Sequence, residues 1–510
     1  MRGRTVRLAL ALVSIGSMLV FAKLVAGRLF YPLELDCIEG VMMDHVARLA
    51  HGQPIFVAPT LHFVPLAYMP LLAFLASLLA RVFGPAFWEP RLVSVISVVA
   101  LSSIIARAVW LDTRKALLAL AAPAIYLFSM GLTGNCHDVG RPDSLMLALA
   151  FGGLLMLRQT TGRSGAIAAA LLLATAFFAK QHAMWFAFAG GAHLLWNDRR
   201  RFLPFALTLL VAAGGTYAVL TAWLGRWFPF FTWEVPHDWS EVSQARILHY
   251  IGAGLLGSLA MLTLPAILAY FLNRRIARDA SGVWVFAALA AIGTGLMATL
   301  DPSAYLHVLM PTVVAFSILG PIALDALGGQ LAAGGRAGAA RTLPAAMLLL
   351  QFVPLVYPIK TQRPHPHGPS AHAEFVARVS ALPGGVLMPY HGFYTSEAGK
   401  GTSLHIIPLD DIVRAHRNWL LKKDPLFLAR MMAPLATGPG RPAIVTDVPL
   451  EKSGALWAAI APGYRLADSL DTSLHEALVP ITGNRFSPAL IYVPVDSAPA
   501  MALTPGGKGS

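Results

Sequence analysis

The sequence predicts an all-α polytopic membrane domain, with about 11 transmembrane helices plus juxtamembrane helices, followed by a small extracytoplasmic α/β domain. Three observations predict it. Charged residues make up only 13% of the chain while hydrophobic ones reach 56%, against about 25% charged in soluble domains. The apolar residues run in long blocks, several of them reaching the ~20 residues that cross a bilayer. Those blocks stop near residue 360, and the composition changes beyond it.

Residues 1–7 carry Arg2, Arg4 and Arg7 ahead of an apolar run to Val25. The run is long for a signal-peptide core and lacks a small-x-small cleavage site, so it reads as a retained first helix. Further apolar segments fall at 62–83, 91–111, 115–132, 143–159, 164–180, 182–196, 203–225, 249–272, 281–299, 303–326 and 342–360. If all of them crossed, the basic clusters at Arg199–Arg201, at Arg274, Arg275 and Arg278, and at Arg336 and Arg341 would lie outside, against the positive-inside bias. Segment 62–83 resolves the conflict. Pro65 and Pro70 interrupt it, and a broken helix frees carbonyls that lipid cannot satisfy. It reads as a juxtamembrane helix on the outer surface. About eleven spans then put the amino terminus in the cytoplasm, the basic loops inside and the carboxyl terminus outside.

Residues 361–495 form the extracytoplasmic α/β domain. A helix is expected at 371–380, strands at 385–389, 442–446 and 490–494, and a helical stretch at 453–460. About 140 residues suffice to bury a core. The tail, 496–510, reads as disordered, and the 1–360 region as the membrane domain.

Net charge is +13, but the basic residues sit at the ends of apolar segments, which is topology rather than a nucleic-acid surface. The acids distribute differently. Asp36, Glu39 and Asp44 lie in the first outer loop, Asp138, Arg141 and Asp143 in the second, and Lys180 with His182 at a later break. Glu234, His237 and Asp238 follow, then Asp301 and His307. Ionisable groups gathered at one membrane face point to function.

Each residue carries two readings. Glu39 opens a helix and is either a cap on its dipole or a general base that takes the proton of an attacking hydroxyl. Asp143 stands at the mouth of another helix, again a cap or a site carboxylate, with Arg141 and Asp138 as partners or substrate contacts. Lys180 either snorkels to the interface or stabilises a departing phosphate. The aromatic run 227–239 is an interfacial belt or one wall of a lipid or sugar groove. Cys37 and Cys136, both in outer loops, are two free thiols or a bridge between the loops. No zinc-type Cys/His spacing is present.

These residues resemble a family. The acidic first loop (Asp36, Glu39) leads into a helix ending VARLAHG. The element Tyr68–Met69–Pro70–Leu71, then Phe83–Gly84 and Arg91, follow in order. The pattern over roughly 30–320 is similar to the GT-C superfamily of membrane glycosyltransferases, in particular bacterial glycosyltransferase family 39, the relatives of protein O-mannosyltransferases and lipid A aminoarabinose transferases. Asp143 in RPDSL falls at the family's second acid, and Lys180 at the lysine of its fifth-span motif. By spacing to Ala47–Arg48, Glu39 fits the family's base, with Asp36 as its competitor.

The resemblance implies an inverting glycosyltransferase of the bacterial inner membrane. It would take a sugar from a polyprenyl-phosphate donor, with no nucleotide sugar, to a glycolipid, a cell-envelope glycan or a protein. The catalytic candidates are Glu39, Asp36 and Asp143; the substrate contacts are Lys180, Arg141, Tyr68, His182, His307 and Asp138. No cofactor is implied, although some oligosaccharyltransferase cousins use a divalent metal. One departure stands out: Tyr68 occupies the place where aminoarabinose transferases have a lysine. A secondary transporter would need two pseudo-symmetric halves, which the sequence does not show. A membrane scaffold would not need the recurring outer acids.

Overall fold

The computed structural model describes residues 2–272, 280–415, 417–438 and 440–496. The basic cluster at 274–278 and, apart from Asp496, the 496–510 tail lie outside them. Helices dominate through residue 381, and strands enter only beyond it.

Among the described residues five helices are long and apolar enough to cross a membrane: Gly3–Arg28, Trp88–Thr113, Arg199–Leu224, Leu306–Ala333 and Ala337–Leu355. Gln244–Ser258 and Ala260–Leu272 pass the same test together but are bent by 89° at their break. Other apolar helices, among them Ala116–Phe128, Arg163–Ala179 and Val283–Ala298, are shorter, so length alone does not yield the expected eleven spans. Their outward faces carry Leu12, Leu19, Leu203, Val211, Phe271 and Leu289, all exposed. In water such a belt would be costly; against lipid it is neutral. This is a membrane protein.

Segment 62–83 forms a helix only over Leu71–Phe83. At 1.5 Å per residue that is about 20 Å, short of the ~30 Å hydrocarbon core. Pro70 takes the N-cap position, and the preceding stretch 53–70 is irregular. The short helix packs on Cys37–Ala50 and on Trp88–Thr113.

Polar groups separate to the two ends of the helix bundle. At one end Arg158 pairs with Asp112, which also accepts from the Trp284 indole at 3.0 Å, and Lys115 pairs with Asp325. At the other end, where Trp88–Thr113 and Asp143–Gln159 begin, lie Arg91, Asp143 and the loops of the candidate site.

The carboxyl-terminal unit holds one four-stranded sheet. Its strands are β1 (Val386–Leu387), β2 (Ala443–Thr446), β3 (Tyr464–Ser469) and β4 (Leu490–Pro494), in the order β1-β2-β4-β3. β1 and β2 run parallel; β4 is antiparallel to both β2 and β3, with a register shift between Leu466 and Asp468. β1, β2 and β4 coincide with the expected strands, and Gly368–Ala381 and Ala455–Ile460 with the expected helices. β3 is the addition. Its burial alternates weakly, because it lies at the sheet edge with much of its surface exposed. The unit does not bury a core of its own. Phe63, Val64, Phe228 and Phe231 pack in one cluster with Leu404, Ile412, Trp457 and Tyr492, so the sheet region and the outer loops share one interior.

Candidate active site

The first outer loop turns into the Cys37–Ala50 helix at Asp36. Asp36 has extended backbone (φ −137°, ψ 137°), and its carboxylate accepts the Ile38 N–H at 2.9 Å, an N-cap. Val41, Met42, Met43 and Val46 bury the helix, which carries both acids beneath the surface.

Glu39, in the first turn, is fully buried. Its Oε1 accepts from Arg91 Nε at 2.8 Å and from the Gly140 N–H at 2.7 Å. Its Oε2 accepts from an Arg91 terminal nitrogen at 2.6 Å and from the Leu35 N–H at 2.7 Å. Burial by itself would raise this carboxyl, but the Arg91 guanidinium and the two backbone donors overcome it and hold it below the usual range. Arg91 also donates to the carbonyls of Arg28, Tyr31 and Leu33. All four in-plane acceptor positions of Glu39 are therefore filled.

The second outer loop is fixed from both sides. Arg28 pairs with Asp138 at 2.9 Å, both buried, and donates to the Asn135 carbonyl. The Gly140 contact to Glu39 then sets the direction of Arg141. One terminal nitrogen of Arg141 lies 3.3 Å from both oxygens of Asp36, the other 3.4 Å from His307 Nε2. Its Nε stands 3.6 Å from Asp143 Oδ2. Asp143 Oδ1 in turn accepts from Lys180 Nζ at 2.6 Å.

Lys180 reaches inward because the chain breaks there. The Arg163–Ala179 helix ends, Lys180 is extended (φ −156°, ψ 133°), and a short turn follows before Met184–Asn197. Its ammonium lies 6.0 Å from the Tyr68 ring centroid. The result is a continuous polar line, Asp36–Arg141–Asp143–Lys180–Tyr68, flanked by His307. Along it, Asp143 Oδ2, Arg141 Nε, His182 Nδ1 and His307 Nδ1 are enclosed without hydrogen-bond partners among the described residues. Unsatisfied buried polar atoms are costly and mark a place for a polar ligand.

The carboxyl-terminal unit roofs this line. The Thr482 N–H donates to the Leu35 carbonyl at 3.0 Å, and its hydroxyl to the Gly134 carbonyl. Gly483 has φ +69°, and a Cβ there would sit 3.1 Å from the Asp36 carboxylate. A second tie is a buried triad, in which His391 Nδ1 meets Glu34 at 2.6 Å and Nε2 meets Asp447 at 3.1 Å. Tyr394 stacks on His391, and its hydroxyl oxygen accepts the Glu34 backbone N–H at 3.1 Å. Burial would lower the His391 imidazolium, but Asp447 and Glu34 together raise it to about 10; burial raises Glu34 to about 7 in spite of His391.

ArnT from Cupriavidus metallidurans in the apo state aligns over 94% of this chain and 98% of its own, at 13% identity and a TM-score of 0.60. The chain has the fold of ArnT. The crystal structure of ArnT bound to undecaprenyl phosphate aligns at 12% identity and a TM-score of 0.58, over 94% and 97% of the two chains. The oligosaccharyltransferase of Archaeoglobus fulgidus in its apo form aligns at 11% identity and a TM-score of 0.48, over 86% of this chain and 69% of that one. No protein-family model matches the sequence, and no curated protein matches it significantly.

Within this ArnT fold, six of the sequence candidates converge: Asp36, Arg141, Asp143, Lys180, Tyr68 and His307. His182 adjoins them, with its Nδ1 free. Glu39 and Asp138 sit apart, each bound to its own arginine. Glu234 and Asp238 lie in a separate groove. Cys37 and Cys136 are both free thiols, Cys136 donating to the Gly134 carbonyl. Among the described residues no three His, Cys, Asp or Glu side chains form a metal cage. The sequence reading missed Arg28, Glu34, His391 and Asp447. An intramembrane-end arginine such as Arg28 is a usable signal; a histidine in a polar outer segment is not.

Proposed function

We propose that this protein is an inverting glycosyltransferase that moves a sugar from a polyprenyl-phosphate donor to a hydroxyl of an extracytoplasmic acceptor. The observation that carries the reading is the line Asp36–Arg141–Asp143–Lys180 with its unpaired inner atoms. Its occurrence in an ArnT fold supports the lipid-phosphate donor, since ArnT itself has been crystallised with undecaprenyl phosphate. The acceptor is a glycolipid, a cell-envelope glycan or a protein. The chain would lie in a bacterial inner membrane with its amino terminus in the cytoplasm and residues 361–495 outside.

In this reaction the acceptor oxygen forms a bond to the anomeric carbon as the bond from that carbon to the phosphate oxygen breaks. The acceptor proton goes to a carboxylate, and the polyprenyl phosphate leaves with its negative charge. Glu39 has no free acceptor position, so we assign the base to Asp36, whose Oδ2 is met among the described residues by the 3.3 Å contact from Arg141 alone. Asp143 orients the two cations, Lys180 and Arg141, which stabilise the leaving phosphate. Tyr68, His182 and His307 line the remaining rim. Glu39 and Asp138 act as struts for the loops, with Arg91 and Arg28. No cofactor enters any step.

The test uses purified protein in nanodiscs with a radiolabelled polyprenyl-phosphate sugar and a cell-envelope extract. Label should move from the lipid to an acceptor with the wild-type chain. If label stays on the lipid across donors carrying hexose, pentose and amino sugars, the proposal fails.

A further inference from the structure

A second concave site lies between the outer segment 233–238 and residues 417–423 of the carboxyl-terminal unit. Its volume is about 840 Å³. The segment's start is tied to the transfer centre through Gln181, the neighbour of Lys180. The Gln181 amide donates to the Thr232 carbonyl at 2.8 Å and to the Ala67 carbonyl at 3.3 Å. The groove's outer segment is therefore anchored through the residue that follows Lys180.

The lining combines indole faces with an excess of positive charge. Trp233 is exposed, at 52%. Trp419 stands against Trp227 with its ring under the Arg226 and Lys423 cations, at 5.0 and 5.3 Å. Both acids of the groove already have partners. Glu234 pairs with Arg226, and Asp238 accepts the Arg417 backbone N–H. Arg417, Lys422 and Lys423 are exposed and enter no ion pair among the described residues. The wall itself is rigid, because the buried Asn418 amide donates to the Ile412 and Ala415 carbonyls and its oxygen caps Leu421.

We infer that this groove binds an acidic saccharide. The apolar C–H face of a pyranose ring packs on an exposed indole, and a ring carboxylate or phosphate is drawn to three cations that share the cavity with one carboxylate, Asp238, not already paired to a cation among the described residues. A flat membrane anchor would spread such charges along the surface; here they converge on one cavity. Building on the proposed transferase activity, the groove would hold the acidic part of the acceptor glycan while its hydroxyl is presented to Asp36.

Binding is measured apart from transfer, on the full chain in neutral phosphatidylcholine nanodiscs, by calorimetry. The probes are trigalacturonic acid, its neutral counterpart galactotriose, and inorganic phosphate. Trigalacturonic acid should bind, galactotriose and phosphate at least tenfold more weakly. Lys422→Gln with Lys423→Gln, and Trp233→Ala, should each weaken it tenfold or more, with unchanged thermal unfolding. Asp36→Asn should bind it normally. Equal binding of galactotriose, or binding untouched by these groove variants, overturns the inference. So does affinity for phosphatidylglycerol nanodiscs without affinity for the saccharide. Groove binding in a protein that transfers no sugar would sustain this site and reject the transferase reading instead.

Discussion

Arg91 grips Glu39 through two hydrogen bonds, at 2.8 and 2.6 Å, with both side chains fully withdrawn from solvent. The pair joins the Cys37–Ala50 helix to the start of Trp88–Thr113. Through Gly140 it also sets the loop that carries Arg141. Breaking one member of such a buried pair leaves the other charge uncompensated, at a cost of about 3–5 kcal/mol. Glu39→Gln should therefore lower the thermal unfolding temperature in detergent, with transfer per folded molecule much less affected. The double variant Glu39→Gln, Arg91→Gln should recover part of the stability. A stable Glu39→Gln protein with no transfer would return the base to Glu39.

Asp36→Asn should behave in the opposite way. It keeps the shape of the N-cap and its bond to Ile38, but it cannot accept a proton at neutral pH. Transfer should fall roughly 10²-fold or more, while donor binding is retained. Single-turnover assays with labelled donor measure the two separately, and wild-type rates in Asp36→Asn would exclude it as the base.

Lys180→Ala should weaken use of the donor and cost on the order of 10²-fold in rate, the scale of losing one electrostatic contact in a transition state. It also leaves Asp143 without its 2.6 Å partner. Lys180→Arg should restore part of the activity, because charge returns in a different geometry. Comparing kcat and KM for the donor separates this role from snorkelling, which predicts no change in either.

The Glu34–His391–Asp447 triad should make the seating of the carboxyl-terminal unit sensitive to alkali. Both resolved shifts are upward, so the folded state holds more protons than the unfolded one and stability falls as pH rises. The Glu34 contribution is lost between the ordinary carboxyl value of 4.5 and about 7, and the His391 contribution as pH climbs from 6.5 through about 10. Hydrogen exchange at residues 388–400 should quicken between pH 7 and pH 10 in the wild type, and be fast throughout in His391→Ala. Exchange independent of pH after correction for the intrinsic rate would refute the triad's role.

Gly483→Ala should disturb the roof over Asp36. The backbone has φ +69°, and the added methyl would meet the Asp36 carboxylate at 3.1 Å. The left-handed conformation costs about 1–2 kcal/mol for a residue with a Cβ, and the contact adds to it. Transfer should fall without loss of donor binding, and Gly483→Val should be worse than Gly483→Ala.

Much of this molecule is written locally. The apolar blocks, the prolines that shorten 62–83 to a 13-residue helix and three of the four strands follow from period, length and β-branched content. β3, YRLADS, escaped because three of its six residues are polar and its partner β4 lies in a different stretch of chain. The gathering of polar groups at one end was also legible, since charges are expelled from lipid wherever they fall in the sequence.

What the sequence by itself determined is the membrane class, the helical frame and the set of residues from which a site is drawn. Only the tertiary structure decided the roles within that set. Asp36 and Glu39 are both acids at one helix start, three residues apart, and local pattern treats them alike. Their fates are set by partners far along the chain: Arg91, 52 residues from Glu39, and Arg141, 105 residues from Asp36. Glu34 meets His391 across 357 residues. A buried charge is defined by what compensates it, and that compensation exists only once the chain has folded.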